Sequence, residues 1–156
     1  MSTLHLIRVD ELDPAQPLGR HLILLFRAFE DELLEHLGDY PDVTPSDLQV
    51  LRFVRPEGSQ AVEIARLAGI TKQGAGKAIH SLEDRGYLVR HPDPDDSRAK
   101  RIMFTERGEA LISRMITVIT DIEHRYATLL GPDQLTALKD TLKMLFEDHQ
   151  NRRTKS

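Results

Sequence analysis

Cysteine is absent from the 156-residue chain. That excludes a disulfide framework, a thiolate zinc site, a thiolate-held iron–sulfur cluster and a cysteine nucleophile or redox switch. Long apolar runs are missing too, since none approaches the roughly 20 residues that span a bilayer. Met1 to Asp13 lacks a basic stretch followed by a continuous apolar one, so no secretory signal and no membrane partner are expected, and the expected compartment is the cytoplasm. Catalytic signatures are equally scarce. There is no Gly-x-Ser-x-Gly elbow, no phosphate-cradling glycine loop ahead of a lysine and no strand-rich scaffold to hold such a site. No catalytic residue and no cofactor is expected.

What is present is a globular composition, 40% hydrophobic and 29% charged. A chain of this length buries enough surface for one self-sufficient domain. Its net charge of −4 conceals an asymmetry: residues 1–51 carry −7, residues 52–107 carry +3 and residues 108–156 carry 0. A local basic excess on an acidic chain suits a compact phosphate-binding face, and equally an ordinary solvated surface.

The apolar spacing predicts helices at both ends and a mixed centre. Leu18, Leu22, Leu25, Phe29, Leu33 and Leu37 recur at helical steps up to Asp39-Tyr40-Pro41. Thr44-Pro45 is a helix start, threonine capping a free amide and proline costing no hydrogen bond at the first helical position. Leu48, Leu51 and Phe53-Val54 carry that helix to a turn at Arg55-Pro56-Glu57-Gly58. A short helix over Ala61 to Ala68, with Val62, Ile64-Ala65 and Leu67-Ala68 apolar, stops at Gly69, and Thr71 caps a fourth running to Arg85. After Gly86 the pattern becomes strand-like. Tyr87 to Arg90 and Arg101 to Phe104 flank the turn-rich His91 to Ser97, which predicts a hairpin. Two long helices follow, one opened by Thr105 with a stripe from Leu111 through Met115 to Leu130, the other opened by Asp133 after the Gly131-Pro132 break.

Residues 61–85 have the spacing of a helix-turn-helix, whose second helix enters a DNA major groove, although any two helices joined by a glycine turn would share that spacing. The composition of the second helix points further. Gly74 and Gly76 each cost roughly 1 kcal/mol against alanine in a helix interior. Glycine instead permits close approach to another surface, and Lys72, Gln73 and Lys77 reach base edges and phosphates. The hairpin tip carries Arg98, Lys100 and Arg101 beside Asp93, Asp95 and Asp96. As a wing, it would place an arginine in a narrow minor groove with Asp96 holding that arginine straight; otherwise it is a solvated loop.

Through Ile64-Ala65, Gly69-Ile70-Thr71-Lys72-Gln73, Leu82-Glu83-Asp84-Arg85-Gly86-Tyr87-Leu88, Asp93-Pro94-Asp95-Asp96-Ser97-Arg98-Ala99-Lys100-Arg101 and Phe104-Thr105-Glu106-Arg107-Gly108, the chain resembles the MarR family of winged helix-turn-helix regulators. The resemblance extends over nearly the whole chain. It implies a mainly α fold with a β-hairpin wing, the winged helix over 43–107 and dimerisation helices over 14–40 and 108–148. Implied too is a homodimer that binds a palindromic double-stranded operator as a repressor and is released by a small aromatic or other organic effector. By position, Asp96 and Arg98 match the family's acidic-x-arginine wing pair, and Thr71, Lys72, Gln73 and Lys77 match the exposed side of its reading helix; Gly74 and Gly76 stand where the family commonly has bulkier residues. The family's effector pocket suggests His21, Phe29, Phe53 and Met115 as liners. The leucine stripes of the end helices need a cover, which a two-fold partner supplies, and Leu18, Leu22, Leu135, Leu138, Leu142 and Leu145 are the expected interface.

Seven histidines do not make a metal site. His21 and His36 lie on or beside the first stripe, His80 falls on the inner flank of the reading helix and His124 follows Glu123, with no His-x-x-x-His or Glu-x-x-His spacing on one helical face. A winged helix used for protein contacts, or a small metal-responsive regulator, are the alternatives to a DNA-binding role.

Overall fold

The computed structural model describes residues 12, 14–95 and 98–154. They fall into two compact units divided between Arg114 and Met115. The first holds α1 (Leu18–Glu35), α2 (Pro45–Leu51), β1 (Ser59–Gln60), α3 (Ala61–Ala68), α4 (Lys72–Asp84), β2 (Leu88–Pro92), β3 (Lys100–Phe104) and the opening turns of α5 (Glu106–Leu130). The second holds the rest of α5 and α6 (Pro132–Thr154). The fold is therefore mainly α with a small antiparallel sheet, as expected from the sequence.

Local chemistry sets the boundaries. At α2 the Thr44 N–H donates to Asp47 Oδ2 (2.8 Å) and the Asp47 N–H returns a bond to Thr44 Oγ1 (3.3 Å), a reciprocal cap with Pro45 at the first helical position. Gly69 closes α3 at φ +67°, a left-handed turn that side-chain-bearing residues resist. Thr71 Oγ1 accepts the Gly74 N–H (3.0 Å) and so starts α4. Thr105 Oγ1 accepts the Gly108 N–H (3.0 Å) and donates to the Gly86 carbonyl (2.5 Å), tying the first turn of α5 to the end of the α4 loop. A side chain at Gly108 would collide with the Tyr87 carbonyl, which makes glycine necessary there.

The sheet has the order β1-β3-β2, with Ser59 opposite Ile102, Leu88 opposite Phe104 and Pro92 opposite Lys100. Its hairpin is the expected one, with each arm slightly longer. The strand β1 was not expected, because two residues show no alternation and exist as a strand through pairing to β3 alone. α4 packs on α2, α3 and β2. The core of the unit comes from Leu48 and Leu51 of α2, Ile64 and Ala65 of α3, Ala75, Ile79 and Leu82 of α4, then Tyr87, Leu88, Ile102 and Leu111, all at most 2% exposed. Leu33 and Leu37 are buried, whereas Leu18, Leu22 and Leu25 of the same stripe are exposed, as are Val62 and Leu67, which the sequence had placed on the apolar side of α3. α1 also ends at Glu35 rather than reaching Leu37. In the second unit Met115, Val118 and Ile122 are buried, while Leu138, Leu142 and Leu145 on α6 are exposed.

A polar cluster joins the helices behind this core. The Arg85 guanidinium donates to both Asp47 oxygens (2.6 and 3.1 Å) and to the Asp42 carbonyl (2.6 Å). Tyr87, itself fully buried, donates its hydroxyl to Asp42 Oδ1 (2.7 Å) and accepts from Arg107 (3.1 Å), whose guanidinium also lies 4.6 Å from the ring centroid. The Asp42 carboxyl is held below its ordinary value, first by the Tyr87 hydroxyl and also by Arg85 and Arg107, against the opposing pull of burial.

Because Asp47 is buried, Asp47→Ala removes the bidentate partner of Arg85 and part of the α2 cap, and should lower stability by roughly 2–3 kcal/mol, read as a lower urea midpoint. The folded state favours ionised Asp42, so its contribution is complete above the ordinary carboxyl value of about 3.9 and is lost as pH falls through the lower folded-state value. Asp42→Asn should therefore flatten the acid limb of the stability curve.

Candidate nucleic-acid interface

Buried Ala75, Ile79 and Leu82 fix the rotation of α4, and one consequence is geometric. At 100° per residue, Gln73, Lys77, His80 and Asp84 fall on the opposite side, and all four are exposed. Lys72 and Gly76 flank this face on one side, Gly74 and Ser81 on the other. No acidic residue lies in the first turn of α4, so the positive end of the helix dipole has no carboxylate there to offset it. The Gln73 amide and the Lys77 ammonium on this exposed face can meet base edges and phosphates, with Lys72 on its flank beside the helix N-terminus.

Thr71, Lys72, Gln73 and Lys77 are all exposed, at the N-cap and in the first two turns of α4. His80 is a correction. It lies outward rather than on the inner flank, its side chain 72% exposed and its Nε2 3.5 Å from Asp84 Oδ2. The signal was in the spacing, three residues after Lys77 and seven after Gln73, but a histidine beside Ile79 reads as half-buried until the core side of the helix is known. The two glycines also differ. A Cβ at Gly74 would sit 3.1 Å from the capping Thr71 hydroxyl, whereas a Cβ at Gly76 meets nothing within 4 Å. The fold therefore gives no reason for glycine at 76.

At the wing, Arg98 and Lys100 are exposed, and Asp96 lies outside the described residues. Arg101, counted with them in the sequence, is turned inward. Its Nη2 donates to Asp93 Oδ1 and Asp95 Oδ2, each at 3.2 Å, and its stem lies where a side chain at Gly58 would be. Asp93 is buried and also accepts from Gln60 Nε2 (3.0 Å) and the Asp95 N–H (3.0 Å). Those bonds, with Gln60 first, hold its carboxyl below the ordinary value.

Two surface cavities border α4. One of about 620 Å³ is lined by α3 residues with Gln60, Ile70 and Lys72, the other of about 440 Å³ by Thr44, Ser46, Lys77, Ser81 and Arg85 among others. His21, Phe29 and Phe53 line neither. Each is half-buried in the first unit, His21 with Nδ1 3.2 Å from the Pro17 carbonyl, and Met115 is buried in the second. Among the described residues, no group of three or more carboxylates and imidazoles is arranged to hold a metal ion, and no helix is long and apolar enough to cross a membrane.

The sequence profile of the MarR family matches residues 41–99, the segment from the loop before α2 to the wing. The fold is similar to that of a crystal structure of MarR, at TM-score 0.79 and 22% identity, over 94% of this chain and 99% of that one. It is similar also to a transcriptional regulator from Thermotoga maritima, at TM-score 0.61 and 26% identity, over 90% of this chain and 99% of that one. A third similar structure is the transcriptional repressor CouR bound to a 23-mer DNA duplex, at TM-score 0.70 and 28% identity, over 86% of this chain and 98% of that one.

Gly76→Ala fills open space in a helix interior and should stabilise the protein by about 1 kcal/mol, raising the thermal midpoint. The same methyl group on the flank of the exposed face should weaken duplex binding, a loss that a purely structural glycine would not produce.

Proposed function

We propose that this chain, which belongs to the MarR family and has its winged-helix fold, is a homodimeric repressor that reads a palindromic DNA operator and is released by a small aromatic or other organic ligand. The observation that carries the reading is the exposed face of α4, with Gln73 and Lys77 set opposite the buried Ala75, Ile79 and Leu82. Gln73 pairs with an adenine edge through its amide, Lys72 and Lys77 meet guanine or phosphate, and Arg98 with Lys100 follows the adjoining minor groove. The similarity to a repressor whose structure holds a DNA duplex supports this assignment. The dimer is supported by the exposure of Leu18 and Leu22 on α1 and of Leu138, Leu142 and Leu145 on α6, with Leu135 half-buried beside them. In water such stripes favour a partner that covers them.

The test uses duplexes selected from a random library. Arg98→Ala should lower affinity about tenfold with the thermal midpoint unchanged, since an exposed arginine contributes groove contact rather than core. Gln73→Ala should relax base preference at one position per half-site, and Lys77→Ala should weaken all sequences evenly and reduce the salt slope. Unchanged affinity and preference in all three variants would remove α4 and the wing from DNA reading. Charged residues at Leu138, Leu142 and Leu145 should convert a sedimenting dimer to a monomer with weaker operator binding.

A further inference from the structure

A two-stranded hairpin is marginally stable alone, so the direction of this wing depends on what holds its root. The root is held by the pairing of β1 with β3 at Ser59–Ile102 and Gln60–Arg101, and at the tip side by Asp93, whose side chain is 1% exposed. Its backbone N–H donates to the Ala99 carbonyl (3.1 Å) and closes the hairpin tip. Its carboxylate takes donors from three segments: Gln60 Nε2 at 3.0 Å, the Asp95 N–H at 3.0 Å and Arg101 Nη2 at 3.2 Å. Gln60 is the residue that opens α3, and α3 packs directly on α4. Arg101 is additionally bonded to the Glu57 carbonyl (3.4 Å) in the turn before β1. One buried carboxylate thus connects both arms of the hairpin to the start of the helix that supports the reading helix. A buried charge with its acceptor sites filled from separate elements is held in one geometry, because displacement of any partner leaves the charge uncompensated.

We infer that Asp93 is a positioning residue for DNA reading, the clamp of Gln60, Asp93 and Arg101 fixing the angle between the wing and α4 so that Arg98 arrives in the groove while Gln73 and Lys77 engage the bases. The inference rests on the DNA-reading assignment above. Arg101 acts in it through Asp93 and not by touching DNA.

The experiment is a double-mutant cycle on a selected duplex, with native-state hydrogen exchange on the same proteins. Asp93→Ala should lower affinity about tenfold, and Arg98→Ala added to it should cost less than about twofold further, because a misdirected wing has already lost that contact. Asp93→Asn should fall between, since the amide keeps an acceptor oxygen for Gln60 but not the charge that faces Arg101. Gln60→Ala removes a donor without burying a new charge, and should show the same coupling to Arg98 if Asp93→Ala proves unstable. Amides over 98–102 should exchange faster in Asp93→Ala while those of α2 keep their protection, a pattern that general destabilisation would not give. An Arg98→Ala effect of equal size with and without Asp93 would overturn the inference. If the native protein binds no duplex, the DNA-reading assignment fails by itself and exchange decides the clamp: unchanged exchange over 98–102 in Asp93→Ala overturns it, and faster exchange confined there upholds it.

Discussion

The ion pair between Arg85 and Asp47 is the constraint on which the first unit depends. Asp47 caps α2 through its bond from the Thr44 N–H, and the same carboxylate receives two bonds from Arg85, immediately after the last residue of α4. Through the Asp42 carbonyl and carboxylate the cluster then reaches Tyr87 and Arg107, and so the first turn of α5. The pair and the groups bonded to it therefore link the start of α2, the end of α4 and the first turn of α5. Apolar residues of the same volume could match its stability, but a bidentate fork also fixes orientation, and a reading helix needs its rotation fixed. The exposed face of α4 is the other side of the rotation that Ala75, Ile79 and Leu82 bury.

The charge pattern looks different once partners are known. Residues 52–107 carry a net +3, yet many of their arginines are held internally: Arg52 by Glu30, Arg55 by Glu63, Arg85 by Asp47, Arg90 by Glu83 and Arg101 by Asp93. The exposed cations near the reading face include Lys72 and Lys77 on α4, Arg66 on α3, and Arg98 and Lys100 on the wing. Binding in this account relies on a small set of placed groups rather than on a broad basic surface. Two copies would double that set, which is the energetic argument for the dimer.

Features with local causes were legible in the sequence. Thr44-Pro45, Thr71 and Gly69 mark helix ends because a cap or a left-handed turn involves only near neighbours. The wing was legible from two β-favouring runs around a cluster of turn residues. What could not be read depends on partners distant along the chain. Asp42 and Tyr87 are 45 residues apart, Gln60 and Asp93 are 33, and no pattern within either segment announces the pair. The same holds for Arg101, which looks like an ordinary wing cation until Asp93 is seen to be buried beside it, and for β1, which exists through its partner strand. For His80 the spacing was sufficient and the choice of inner side was wrong, since Ile79 next to it carries the core contact instead.

The central claim is that α4 and the wing read duplex DNA as a symmetric pair, and hydroxyl-radical footprinting on a selected operator tests it most directly. The account predicts two protected half-sites with centres about one helical turn, roughly 10 bp, apart, each with adjoining minor-groove protection that disappears in Arg98→Ala. A single protected patch with no symmetry mate, or protection that is uniform along any duplex, would contradict it.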